Sequence, residues 1–312
     1  MMKEEMNYSE DLFMPVSKEE KNAERIHRPS IKYWADVWRR LKMNKLAMSG
    51  LIIILLFIIM AIVGTKINGF KYYEQDLNVI NQKPNLVHWF GTDELGRDLF
   101  TRTWFGARYS ILIGFMAAFL DFLIGVIYGG VAGMANRRVD SLMMRIAEII
   151  YSIPYLLVVI LLSVVFGQGD SLFVMILAMS LTGWVPMAIL VRGQVLQLKE
   201  SEYAMASESL GATKKWILKK HIIPNTLGPI LVNITLAVPT AIFAEATLSF
   251  LGLGLQPPKS SLGTLANDGL AGLAVGNGYQ ILIPAVFISL IMFSFNVLGD
   301  GLRDALDPRL RK

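Results

Sequence analysis

The sequence predicts an all-α protein that crosses a membrane six times. Three observations carry that prediction: an apolar composition, six charge-poor runs of spanning length, and a lopsided placement of lysine and arginine. Hydrophobic residues make up 54% of the 312 and charged residues 18%. Soluble domains reach roughly 45–50% apolar with glycine included and carry about 25% charge. The mean hydropathy of +0.47 agrees.

The chain opens with a mixed-charge tail and the stretch PSIKYWADVWRRLKMNK, together residues 1–45. Ser30 is placed to cap a helix there. Ile31, Trp34, Trp38 and Leu41 share one face of it, with Arg39, Arg40 and Lys42 towards headgroups, which predicts a helix lying in the membrane plane.

A helical crossing needs about 20 consecutive apolar residues. The first run, 46–64 (LAMSGLIIILLFIIMAIVG), holds no charge and is read as an anchor rather than a removable leader. A polar segment, 65–108, follows. The second run, 109–136, has a single acidic residue, Asp121, near its middle. The third, 149–169, follows Glu148 and contains Pro154, and the fourth, 171–191, contains Pro186. The fifth, 226–244, carries Pro229 and Pro239, and the sixth, 278–299, carries Pro284 before a short polar tail, 300–312. Neighbouring helices satisfy the backbone groups that such prolines free.

Six crossings leave both termini on one side. With the termini inside, 23 of the 30 lysines and arginines are cytoplasmic, and the positive-inside rule then puts 65–108 outside and 192–225 inside. The net charge of +5 is therefore read as contact with lipid headgroups, not nucleic acid.

The chain has no cysteine and three scattered histidines, His27, His88 and His221, which argues against disulfide, zinc or iron–sulfur chemistry. No GxxxxGK[ST], HExxH or GxSxG pattern occurs, so the sequence predicts no phosphate-cradling loop and no catalytic centre. The glycine-rich 269–278 (GLAGLAVGNG) is read as turns in an outside loop. Ionisable groups inside spans are expensive. Asp121 and Glu245 are accordingly candidates for pathway or helix-packing roles, and Glu148, near the inner interface, is read as structural.

Between the fourth and fifth runs lies SEYAMASESLGATKKWILKKHIIPN (201–225). Tyr203, Ala206 and Leu210 fall on one helical face. Gly211 suits a left-handed turn that ends the helix. A second helical pattern follows, with Trp216 and Ile217 available for burial, until Pro224 stops or kinks it. The apolar face is too short to make a core, so it must pack against something. The alternative is a surface loop whose Lys214, Lys215, Lys219 and Lys220 touch anionic lipid.

This stretch resembles the cytoplasmic signature loop of ABC importer permeases, of the form E-A-A, three residues, G, nine residues, I-x-L-P. Ala206, Gly211 and Pro224 match; Met205 stands in place of the signature glutamate, Ser207, His221 and Ile223 also depart, and Glu202 and Glu208 flank the gap. HWFGTDELGRDLFTRTWFGARYS (88–110), RVDSLMMRIAEIIYSIP (138–154), EATLSFLGLGLQPP (245–258) and GDGLRDALDPRLRK (299–312) are similar to the oligopeptide/dipeptide/nickel permease subfamily. The likeness runs from about residue 30 to the end and is nearest the C-type subunit of Gram-positive oligopeptide importers.

The resemblance implies a type I ABC importer permease fold, with a five-helix core over 109–299. It implies one half of a heterodimeric channel in the cell membrane, with a homologous second permease, two ATPase subunits that bind the ATP and magnesium, and an external substrate-binding lipoprotein. Peptide is the implied cargo; dipeptide, nickel or glycoside cargo is the alternative within the class. It implies ATPase coupling through Glu202, Tyr203, Ala204, Ala206, Ser207, Glu208, Leu210, Gly211, Ala212 and Pro224. Binding-protein contact is expected at 91–98 (GTDELGRD), through Asp93, Gly96, Arg97 and Asp98, the alternative being that these residues pair within their own loop. A secondary transporter, or a receptor without transport, is the reading from outside the class.

Overall fold

Apolar runs that must keep every backbone N–H and C=O satisfied without water have the helix as their one open-ended solution. The computed structural model, which describes residues 32–166 and 171–307, has helices for all these runs. The tail 1–31 with the Ser30 cap and Ile31, the end of the third run, and 308–312 lie outside the described residues.

The chain divides into two compact units after Asp36. Of the first, 32–36 is described; there the rings of Tyr33 and Trp34 meet edge to face at 5.2 Å. Helix α1 (Tyr33–Met43) begins in that stretch. Its C-terminal part buries Val37 and Leu41 against Ala47, Ala305 and Leu306. Trp38 stays half-exposed with the Lys42 ammonium over its ring. Leu41 is thus buried with Val37, whereas Trp38, one turn away, keeps part of its ring exposed.

The second unit holds the spans. Helix α2 (Lys45–Val63) starts at an Asn44 cap whose side chain accepts from the Ala47 N–H. Helix α3 (Leu99–Met134) starts at Leu99 rather than 109, because Asp98 caps it and accepts from the Thr101 N–H at 2.8 Å. The third run is not straight: α4 (Arg137–Tyr151) and α5 (Tyr155–Phe166) meet at 76° across Pro154. Helices α6 (Ser171–Leu198), α9 (Ile223–Leu248) and α11 (Tyr279–Leu306) complete the set. Among the described residues, five helices are long and apolar enough to cross a membrane, or six if the bent pair is one span.

Small residues set how closely these helices approach. Gly125, Gly129 and Gly133 recur every fourth position along α3 and face α6. A Cβ on Gly125 or Gly133 would lie 2.6 Å from the Met187 Cβ or 2.7 Å from the Val195 Cβ, and one on Gly129 would run into the Ala188 carbonyl oxygen, 3.0 Å from its carbonyl carbon. This is the small-xxx-small seam that lets membrane helices touch backbone to backbone. A bidentate ion pair, Arg192 of α6 to Asp140 of α4 at 2.5 and 2.7 Å, ties the bent pair to the same helix.

On the far side, Phe57, Phe90, Phe100, Trp104 and Phe287 interlock across α2, the polar segment, α3 and α11. Of the glycine-rich stretch read as turns, 269–274 closes helix α10 (Leu262–Ala274), and 275–278 turns as expected, with Gly276 at φ +80°. Ser261 and Thr264 cap it reciprocally, and Leu262, Leu265 and Ala266 are buried. The S-x-x-T pattern ahead of apolar residues was the sequence signal for it.

Candidate functional site: the loop between the fourth and fifth spans

Glu202 to Ser209 form α7, an eight-residue helix. Isolated helices of that length are marginal in water, so this one depends on its anchors. Ala204 is buried in a cluster with Val191, Val195 and Ile217, seating the helix on the end of α6. At its other end the Gly211 N–H donates to the Glu208 carbonyl at 2.9 Å and the Ala212 N–H to the Ser207 carbonyl at 3.0 Å. That pair of bonds is a Schellman cap, and it requires the left-handed backbone that Gly211 supplies at φ +87°.

Thr213 then caps α8 (Lys214–Ile217), its hydroxyl accepting from the Trp216 N–H. The chain continues without a stop through a π-turn, Leu218–Ile222, into α9. Proline was expected to stop or kink the helix at 224. The wider turn accommodates the ring instead: the Ile223 N–H reaches back to the Leu218 carbonyl, and the Asn225 amide donates to the His221 carbonyl at 2.7 Å. Ile217 and Ile222 are buried, whereas the Trp216 ring stays half-exposed, edge-on to His221 at 4.9 Å.

What the loop leaves uncovered is apolar. Leu210 is 90% exposed, and Tyr203, Met205 and Trp216 lie between 39% and 50%. Ala206 and Glu208 are on the exposed side as well, and Pro224 is exposed at the foot of α9. Leu210, Gly211, Ala212 and Trp216 border a hollow of about 420 Å³. Tyr203, Ala206 and Leu210 therefore form one free face, and Ala204 holds the opposite one down.

The GTDELGRD segment is built differently. Asp93 accepts from the Leu95 and Arg97 N–H groups and pairs with the Arg97 guanidinium at 2.6 Å. Asp268 pairs with Arg102 at 3.1 Å and Arg97 at 3.5 Å. Burial pushes the Asp268 carboxyl up from its ordinary value, against the pull of both arginines. Asp98 also takes His88 Nδ1 at 3.0 Å and the Asn68 amide at 2.7 Å. Gly96, at φ +70°, lies against the Asp76 backbone. Asp93, Arg97 and Asp98 are 4%, 7% and 3% exposed. Their side chains are spent on pairing within the loop, and the surface there belongs to Glu94, Leu86, Val87 and Trp89.

The two acids inside spans part company. Glu245 is fully buried and accepts from Ser110 at 2.7 Å and Ser249 at 2.6 Å, with Ser261 donating to Ser249, which makes it a packing group joining α3 to α9. Asp121 lines a cavity of about 400 Å³ together with Tyr151, Tyr155 and Asn233. Glu148 is exposed and lies 3.4 Å from Arg145. Among the described residues, no group of three or more histidines or acids is placed to hold a metal. Sequence reasoning missed the Arg192–Asp140 pair and the Ser110 partner of Glu245, since no spacing joins residues so far apart in the chain; the i,i+4 spacing of Glu245 and Ser249 was the one local signal.

Residues 111–312 match the family model described as the binding-protein-dependent transport system inner membrane component. The chain belongs to that family. Residues 32–84 of this permease match a second model, the N-terminal TM domain of oligopeptide transport permease C. The permease is 56% identical over 299 residues to the dipeptide transport system permease protein DppC of Bacillus subtilis (strain 168), covering 95% of this chain and 93% of that one. It is 53% identical over 306 residues to the oligopeptide transport system permease protein OppC of the same organism, covering 98% and 99%. Among solved structures it is similar to an inward-facing MetNI methionine ABC transporter chain, with a TM-score of 0.52 at 20% identity, covering 65% of this chain and 94% of that one. The type I importer permease fold expected from the sequence is thus the fold observed.

Proposed function

We propose that this permease is one half of a heterodimeric peptide-uptake channel whose cytoplasmic coupling element is α7 and the Gly211 turn. The observation that carries the reading is the exposed, largely apolar face of Tyr203, Ala206 and Leu210, held rigidly by the buried Ala204 and the Schellman cap. A rigid apolar knob on a short helix suits the groove of a partner protein. In this reading each of two ATPase subunits binds the ATP and magnesium, and this chain carries no catalytic step. Closure of the ATPases pushes α7, and through Ala204, Ile217 and Ile222 the push reaches α6 and α9, which carry two walls of the Asp121 cavity.

Both termini are cytoplasmic, from the 23 basic residues on that side. A binding lipoprotein delivers cargo on the outer face, against the surface that the buried Asp93–Arg97 and Asp98–His88 pairs hold in shape. Oligopeptide is the cargo we favour. Dipeptide is the second reading, because identity to the dipeptide permease, 56%, is at least as high as the 53% to the oligopeptide permease.

Two experiments test this. Affinity purification of the tagged chain from its own membrane is expected to bring down a second permease and two ATPases; their absence, with ATP-independent uptake, sinks the reading. In this cysteine-free chain, Glu94→Cys is expected to react with a membrane-impermeant thiol reagent on intact cells. Labelling only after lysis would reverse the orientation.

A further inference from the structure

Among the described residues, Asp121 is the one charged side chain around its cavity. The lining otherwise offers the hydroxyls of Tyr151, Tyr155, Thr182 and Thr240 and the amide of Asn233, among apolar groups. No lysine, arginine or histidine faces it among the described residues. The Asp121 Oδ1 is buried and has no hydrogen-bond partner among the described residues.

The carboxylate occupies a notch that α6 provides at Gly183, where a Cβ would lie 2.8 Å from the Asp121 Cγ. The protein has therefore made room for the group and supplied it no counter-charge. Within a membrane-spanning segment a carboxylate in that position is strongly unfavourable unless a cation or water reaches it. Glu245 shows the contrast: one carboxylate in this core has both oxygens satisfied by serines, and the other has been left open towards a cavity large enough for a small ligand.

We propose that Asp121 is a cation-recognition group of the translocation cavity, taking the ammonium of a passing peptide while Tyr155, Asn233 and Thr240 line its path. The inference rests on the peptide-permease reading above and names a chemical preference within it. At neutral pH a peptide with a free amino terminus carries mostly such an ammonium, and apolar walls leave its side chains unselected. Charge-assisted contact to a single carboxylate is strong enough to favour entry and leaves nothing else to hold the cargo back.

Two readouts on the complete transporter in proteoliposomes test it. The first needs no peptide. With Thr240→Cys as the only cysteine facing the cavity, a cationic methanethiosulfonate is expected to react faster than an anionic one. Adding Asp121→Asn should lower that rate ratio by about tenfold, the size expected of a unit charge a few ångströms away. A ratio unchanged by the substitution overturns the proposal, because Asp121 then presents no net negative charge to the cavity.

The second readout is ATP-driven uptake of trialanine. Asp121→Asn should cut the maximal rate by about tenfold at unchanged half-saturation for loaded binding protein, with binding-protein-stimulated ATP hydrolysis preserved and Asp121→Glu recovering most of the rate. Uptake equal to the parent's overturns the cargo role even if the labelling ratio falls. So does a parallel loss of membrane abundance in the Asn and Glu variants, which marks a structural group. If the parent complex takes up no peptide, the importer reading fails, and the labelling ratio still judges the cavity by itself.

Discussion

Replacing Gly211 with valine perturbs one backbone angle and little else. At φ +87° an L-residue sits in the left-handed region, and a Cβ built there meets no atom within 4 Å. The penalty is therefore purely conformational, about 1–2 kcal/mol, and β-branching places valine at the upper end. Helix α7 has eight residues and draws its stability from the Ala204 contact and the Gly211 cap. A loss of 1–2 kcal/mol is a factor of about 5–30 in the population of the native turn. The six spans gain their stability from contacts remote from this turn, so membrane abundance is expected to stay normal. Affinity for the ATPase subunits, measured with purified components, is expected to fall by that factor of about 5–30, and uptake with it. Asparagine tolerates the left-handed region better than alanine, and alanine better than valine, so the defects should grow in the order Asn, Ala, Val. If valine binds the ATPases as well as glycine does, the cap is not what holds the coupling face. If all three variants vanish from the membrane alike, the turn serves insertion, and the argument from φ is refuted.

Three further outcomes follow from the packing. Breaking the bidentate pair by Asp140→Ala leaves Arg192 without its partner, and a double-mutant cycle with Arg192→Ala on thermal unfolding in detergent should give a coupling of about 1–3 kcal/mol. Glu245→Ala strands the hydroxyls of Ser110 and Ser249 in a buried site and should lower stability by at least about 2 kcal/mol, whereas Glu245→Gln should cost less, as read by thermal aggregation of the purified chain. Gly129→Ile drives a branched side chain into the Ala188 backbone and should abolish accumulation of a fluorescent-protein fusion; Gly130→Ile next to it, meeting first the Leu218 side chain at 3.4 Å, should accumulate nearly normally.

The sequence by itself determined the class of molecule and its punctuation. Composition and run length dictate spans, because a bilayer offers the backbone no water and a run of about 20 apolar residues has one way to cross it. The helix–glycine–helix of the coupling loop was legible for the same kind of reason: helical spacing, a left-handed turn and its glycine are local properties. Locality also explains two misreadings. The capping box at Ser261 marks α10, yet its glycines read as turns, and Pro224 read as a stop because the π-turn that accommodates it leaves no signature in the residues.

Only the tertiary structure decided what the charged groups do. Glu245 and Asp121 look alike in sequence, as single acids in apolar helices. One meets Ser110 and Ser249, and the other meets Gly183 and a cavity, because of how α3, α6 and α9 happen to face one another. For Asp93, Arg97 and Asp98 the sequence left open both a contact surface and pairing within the loop; the fold turns their side chains inward onto Arg102, Asp268 and His88. Spacing along a chain fixes which residues share a helical face. Which partner that face meets depends largely on contacts between residues far apart in the chain, 135 positions for Ser110 and Glu245, and for those no periodicity exists to be read.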